Sequence, residues 1–389
     1  MSVNSKLGNL VRLGDYIELI TQRNSDLKFG ISDVCGISNN KEIMPTRANV
    51  EGTELHNFFV IQQDELIYNS RTTRMGDKIG LGFNDIGKTL ITSWNNTAFR
   101  VKPECKGELL PLYLFIYFKR TEFDRYTRYN SWGSSTEIFS WDSMCDIQIP
   151  LPDIDVQQEL VDTYNGLKAL AEQNEALIQP LTKACQAYIV DCKRKYPEVE
   201  LGEYIEEIVL KVGANNHIEI SGINLEHGFM PTVADMNGID KSKYKIVPAG
   251  CFACNLMHIG RDIKIPIAFN NTEKDIAVSP AYFVFKTKVK EEGGILESYL
   301  EMLLNREEFG RLAWFHTDSS IRGNLLVSEL CDILIPLPDI DVQQAIVNLY
   351  NCAEEARNIA NEAREKMKTL CPALVQMAIN EKRNPKGLL

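Results

Sequence analysis

Ile149-Pro150-Leu151-Pro152-Asp153-Ile154-Asp155-Val156-Gln157-Gln158 returns without a change as Ile335 to Gln344, 186 residues later. The same offset links Cys145-Asp146-Ile147 to Cys331-Asp332-Ile333. It also links Tyr113, Leu114, Arg120, Glu122, Phe123 and Arg125 to Tyr299, Leu300, Arg306, Glu308, Phe309 and Arg311. Further upstream it joins Asn69 to Asn255, Ser93 to Ser279 and Phe99 to Phe285, while Leu13-Gly14-Asp15-Tyr16-Ile17-Glu18 recurs two residues out of step as Leu201 to Glu206. One register kept over such a span marks an internal duplication, and a repeat has to be recognised before any other statement about fold. The chain is two copies of one half.

The decapeptide also marks a change of texture. Ahead of it, short β-branched and aromatic runs (Phe58 to Ile61, Thr89 to Ser93, Ile276 to Val278, Tyr282 to Phe285) alternate with Gly, Asn and Asp clusters, which predicts strands of a globular α/β unit. One helical segment stands out in each copy, Leu112 to Arg125 and Ser298 to Leu312. Beyond the prolines, Asp155-x-x-Gln158 and Asp341-x-x-Gln344 resemble capping boxes and predict the start of a long helix. In the first copy Val156, Leu160, Tyr164, Leu167, Ala171, Leu177 and Leu181 keep near coiled-coil spacing as far as Tyr196-Pro197, with a bend expected at Pro180. In the second, Ile346, Tyr350, Ala353, Ile359, Ala363, Met367, Leu370 and Leu374 run to Asn384-Pro385. A helix of about 40 residues is about 60 Å long, and its single apolar stripe has to be covered. The equivalent stripe belongs to the other copy. The expected class is therefore α/β, with two similar globular α/β units separated by a pair of long antiparallel coiled-coil helices in a pseudo-twofold internal repeat. The segments are residues 1–152, 153–198 (helix), 199–338 and 339–389 (helix).

With 389 residues and 44% hydrophobic content, each half can bury its own core. No apolar run approaches the roughly 18 residues of a membrane span, and the N-terminus lacks signal-peptide features, so a cytoplasmic location without membrane contact is expected. The ten cysteines should then be reduced thiols. Cys251-Phe252-Ala253-Cys254 with His258 evokes zinc, but a structural site needs four ligands and no second pair stands at suitable spacing. Neither metal nor cofactor is expected. The net charge of −11 and the absence of any strongly basic segment argue against holding DNA by a broad positive surface. Nucleic-acid contact would have to come from local patches or be shared with a partner.

The order of globular unit, IPLP junction and long helix, given twice, resembles the specificity subunit of type I restriction-modification systems, and the likeness covers the whole chain. Supporting stretches are Gly76-Asp77 to Gly87-Lys88 before a strand, and Gly133-Ser134-Ser135 and Ser319-Ser320-Ile321-Arg322 ahead of the junction. The resemblance implies a protein without catalysis of its own. It implies that each globular unit is a target recognition domain reading one half of a bipartite, asymmetric site in double-stranded DNA. It further implies that the helices space the half-sites and dock two methyltransferase subunits, to which two restriction subunits can add.

Candidate DNA contacts in the first unit are Arg71, Arg74 and Lys78, together with Arg125, Arg128, Tyr129, Ser131, Trp132, Ser134 and Ser135. In the second unit they are Asn255, His258, Arg261, His316, Thr317, Ser319, Ser320, Arg322 and Asn324. Arginine forks read guanine edges, asparagine reads adenine, and small hydroxyl residues admit the backbone to phosphate. Each could equally be a solvated loop residue.

Two rival readings remain at this level. Gly82 to Thr89 fits the pattern G-x-x-x-x-G-K-T of a P-loop nucleotide hydrolase, which requires a helix to begin at Lys88-Thr89; Leu90 to Trp94 instead reads as a strand. The other is a coiled-coil adaptor whose globular ends bind protein. It has no reason to keep a positive surface on both units.

Overall fold

The computed structural model describes residues 10–71, 78–133, 137–213, 218–224, 227–232, 236, 238–257, 265–288, 293–318 and 323–383, with side chains to residue 377. Two compact units emerge. The first comprises Met1–Gln173 with Ile359–Leu389, and the second Asn174–Asn358.

The strands of the first unit are β1 (Leu10–Arg12), β2 (Ile17–Leu19), β3 (Cys35–Ile37), β4 (Ile43–Pro45), β5 (Phe59–Ile61), β6 (Leu66–Asn69), β7 (Gly80–Phe83), β8 (Leu90–Thr92), β9 (Asn96–Val101) and β10 (Gln148–Pro150). An antiparallel sheet of order β2-β9-β6-β7 forms its centre, with two-stranded ribbons β1-β10, β3-β4 and β5-β8 around it. The second unit repeats each item with β11 (Glu198–Glu200), β12 (Ile205–Glu207), β13 (Ser221–Ile223), β14 (Phe229–Pro231), β15 (Lys245–Val247), β16 (Phe252–Cys254), β17 (Ile267–Phe269), β18 (Ile276–Val278), β19 (Phe283–Thr287) and β20 (Leu334–Pro336). Its central order is β12-β19-β16-β17.

β6 and β16 open as apolar runs because both of their faces are covered. In β6, Leu66 and Tyr68 enter the main core with Phe99, Tyr113 and Phe118, while Ile67 points the other way, to Ile61, Leu90 and Ala98. In β16 the same alternation sends Phe252 and Cys254 to one core and Cys251 and Ala253 to another. Cys251 and Cys254 thus leave the strand on opposite faces, which prevents them from sharing one ion. His258 lies outside the described residues.

The IPLP prolines end short strands that clasp the entrance of each unit: Val11 lies opposite Ile149 in β1-β10, and Val199 opposite Ile335 in β11-β20. Beside each clasp a glycine allows close packing. A Cβ on Gly14 would come within 2.8 Å of the Cys145 Cβ, and one on Gly202 within 2.6 Å of the Cys331 Cβ.

The expected single helix ahead of each junction is two. These are α1 (Pro111–Phe118) and α2 (Thr121–Tyr129), then α3 (Trp141–Cys145) and α4 (Ile154–Lys195) in the first unit. Their counterparts are α5 (Glu297–Leu304), α6 (Glu307–Phe315), α7 (Val327–Cys331) and α8 (Ile340–Arg383). The break falls at Arg120 and Arg306, both extended. At the first, Arg120 Nε donates to the Tyr117 carbonyl at 3.3 Å, so the guanidinium satisfies a carbonyl at the end of α1.

α4 and α8 are helices of 42 and 44 residues, each continuing past an internal proline, Pro180 and Pro372. Their starts differ from the expected capping boxes. The helices begin two residues earlier than such boxes would place them, at Ile154 and Ile340, and Gln158 and Gln344 bond forward to Asp162 (2.8 Å) and Asn348 (2.9 Å). The preceding glutamines do the fastening. Gln157 and Gln343 are fully buried. Gln157 accepts from Leu110 N at 2.9 Å and donates to the carbonyls of Glu108 and Pro152 at 2.7 and 2.9 Å. Gln343 makes the same bonds to Leu296 N, Gly294 O and Pro338 O.

Within the first unit the start of α4 (Leu160, Val161, Tyr164) and the end of α8 (Met367, Cys371, Val375) join one core. Within the second, the end of α4 (Cys185, Ile189, Cys192) and the start of α8 (Ile346, Val347) join another. The buried stripe departs from the expected one at Leu177 and Leu370, which are exposed. Cys185, Ile189 and Cys192 carry it on past Pro180.

Candidate nucleic-acid interface

Three segments meet at the end of α2. The chain leaves the helix at Tyr129, and Trp132 exchanges backbone hydrogen bonds with Ile138 (3.2 and 3.0 Å). Phe139 N then donates to Ser70 O at 2.8 Å, and Arg71 bridges Ile138. The second unit builds the same junction 186 residues on: Asp318 N donates to Asn324 O (3.0 Å), Asn324 N to the Asp318 carboxylate (2.9 Å), and Leu325 N to Leu256 O (2.9 Å). In the first unit these contacts are made by backbone, which leaves the side chains of Tyr129 and Trp132 to face outward.

What faces outward is aromatic and, in the first unit, cationic. Tyr129 is 81% exposed and Trp132 73%, while Tyr126 rests edge-on against Phe139. Arg71, Lys78, Arg125 and Arg128 are exposed, and Arg125 pairs loosely with Glu122 at 3.4 Å. In the second unit Phe315 is 83% exposed and Trp314 47%. Phe315 and Trp314, adjacent and both exposed, form a small apolar patch at this end of the helix. Phe315 occupies the place of Tyr129, so the duplicated register signals it directly; the polar-residue criterion passed it over, and Trp314 with it.

Other expected contacts have internal duties. Ser131 is buried and donates to Thr127 O at 2.6 Å. Thr317 donates to Trp314 O at 2.8 Å. Asn255 accepts from Met257 N at 3.0 Å, as Asn69 does from Arg71 N, so both asparagines shape the same turn. His316 lies 3.5 Å from the Glu329 carboxylate. The Asn324 Oδ1 is buried and accepts no hydrogen bond among the described residues. Arg74, Ser134, Ser135, His258, Arg261, Ser319, Ser320 and Arg322 lie outside the described residues.

Lys88-Thr89 leads into β8 instead of a helix, with Gly87 at φ 77° in the intervening turn, so the P-loop pattern lacks its phosphate cradle. Among the described residues there is no group of three metal-ligating side chains, and no helix is long and apolar enough to cross a membrane.

No protein-family model matches the sequence, and no curated protein does. Solved structures do resemble it. The type I restriction-modification S subunit from M. genitalium aligns over 97% of this chain and 98% of its own with a TM-score of 0.59 at 11% identity. The HsdS subunit from Thermoanaerobacter tengcongensis aligns over 96% and 97% with a TM-score of 0.40 at 15% identity. The first of these shows a shared fold over 97% of the chain.

Proposed function

We propose that this chain is the non-catalytic specificity subunit of a type I restriction-modification complex, each of its units reading one half of a split DNA target. The observation that carries the reading is the duplicated junction at the ends of α2 and α6. On a fold shared with a restriction-modification S subunit, both units present an exposed aromatic at the same position, Tyr129 and Phe315. Around those equivalent frames the side chains differ, Trp132 against Asp318 and Ile138 against Asn324. Two unlike readers call for two unlike half-sites and an asymmetric target. The first unit's exposed arginines suit guanine edges and phosphates, and its aromatic rings suit base or sugar faces. The chain's net negative charge leaves much of the phosphate contact to methyltransferase subunits docked on α4 and α8, with restriction subunits added to that core. Helix length then fixes the separation of half-sites against the roughly 34 Å turn of the duplex.

Methylation-aware genome sequencing of the host tests this. Deleting the gene should abolish one bipartite methylated motif, and exchanging the first unit for that of a relative should alter one half of the motif. Retention of every motif would favour a protein adaptor, and a change in both halves would end the modular reading.

A further inference from the structure

The two units differ sharply beneath their equivalent loops. In the first, Lys41 is buried at φ 59°, its Nζ donating to Phe118 O at 2.8 Å and pairing with the Asp124 carboxylate at 2.7 Å. Asp124 also accepts from Ile79 N at 3.2 Å. Nearby, Arg120 Nη1 donates to the Gln376 Oε1 at 2.6 Å. The register of 186 carries Lys41, Ile79, Phe118 and Asp124 onto His227, Ile265, Leu304 and Gly310, and Arg120 with Gln376 onto Arg306 with Val190. The structural match is close, since His227 also takes a left-handed backbone, at φ 63°.

All six counterparts line one pocket of about 620 Å³ in the second unit, open to solvent along Val190, Glu307 and Glu308. The first unit has a hollow of about 400 Å³ that stops at Lys41 and does not reach Ile79, Phe118 or Asp124. Replacing Lys–Asp by His–Gly removes one ammonium and one carboxylate, and Val190 supplies no oxygen for the arginine. Arg306 therefore has no side-chain hydrogen bond or ion pair among the described residues. The nearby Glu308 is engaged by Arg311 at 2.6 Å, and Glu354 by Arg357. Burial pushes the Arg306 pKa down, and the Glu308 charge opposes this only in part. Leu304 O, at the end of α5, likewise accepts no hydrogen bond among the described residues. The half-buried Arg306 guanidinium and the Leu304 carbonyl are thus both open to a ligand, and a pocket of this size is within the range that holds small ligands.

We propose that the cavity binds a small amino-carboxylate zwitterion with an apolar body, its carboxylate on Arg306 and its ammonium on the Leu304 carbonyl. Such a ligand restores the charge pair that Lys41 and Asp124 supply in the first unit, and it adds no net charge. The apolar part would lie against Ile189, Ile265 and Met302. The site is independent of the DNA-reading proposal, because it follows from the internal packing of one unit.

Calorimetric titration of the full chain with L-leucine tests it, with hexanoate and isoamylamine as single-charge controls. We expect one saturable site for L-leucine, weakened about tenfold or more by Arg306→Gln and by the loss of either charge from the ligand. The double variant His227→Lys with Gly310→Asp, which rebuilds the first unit's pair, should melt no lower than the parent and bind none. Absence of saturable binding up to about 10 mM overturns the proposal. So does leucine binding that survives the double variant, or hexanoate binding as tightly as leucine. If the double variant fails to fold, Arg306→Gln decides, and unchanged affinity there is equally fatal.

Discussion

Glu301 shows how much one position can differ between duplicated halves. It stands on α5 where Phe115 is buried in the first unit's core. Burial raises the Glu301 pKa above the ordinary 4.5, with no opposing charge. A carboxyl raised in this way favours the fold while protonated, and the advantage is lost as pH rises from 4.5 through the folded-state value. Glu301→Gln should therefore raise the melting temperature at pH 7 and make little difference at acidic pH; an equal shift at both would show that the carboxyl is not the cause. The candidate site was legible at the same scale only in part. Tyr129 and Trp132 are exposed as the contact reading requires, yet Ser131 between them is buried. Nothing in the letters separates a serine that bonds its own helix from one that faces a ligand, because that choice is made by where α2 ends.

Among elements, the long helices were the most legible, because an apolar stripe sustained over many turns and bounded by prolines admits few alternatives. Their starts were less so. Asp155-x-x-Gln158 has the letters of a capping box, but the helix begins two residues earlier than that box implies and the working side chain is its neighbour, Gln157. The reason is tertiary: the Gln157 amide reaches Glu108 and Leu110, which no local pattern encodes. Gln157→Ala should cost about 2–4 kcal/mol, since it leaves buried backbone groups unsatisfied, whereas Gln158→Ala on the exposed side should stay within about 0.5 kcal/mol. Denaturant unfolding of the two variants measures both. The break between α1 and α2 was likewise hidden, because Lys119-Arg120 suits a helix interior, and only the bond from Arg120 to the Tyr117 carbonyl reveals a terminus.

At the scale of the molecule the duplication was fully readable, and the strand order of the first central sheet recurs in the second. Less readable was the way the compact units divide α4 and α8 between them, at Gln173/Asn174 and Asn358/Ile359. Each helix contributes to both cores, so its length is tied to both. On the proposed function, four residues of matched helical sequence inserted after Gln173 and before Ile359 add about 6 Å, and should lengthen the unmethylated spacer by roughly two base pairs while leaving both half-sites intact. Motif mapping from single-molecule sequencing reads this, and an unaltered spacer would dismiss the helices as a ruler.

The clasp of β1 on β10, repeated by β11 on β20, has an evolutionary reading. It acts on each unit as a pair of parentheses does on a sentence: whatever is written between Arg12 and Gln148, or between Glu200 and Leu334, the opening and closing marks stay adjacent. Text inside can lengthen, shorten or be replaced wholesale, and the long helix still starts from the same spot. On the proposed function, a lineage can thus revise what it recognises without redrafting the grammar that holds the complex together.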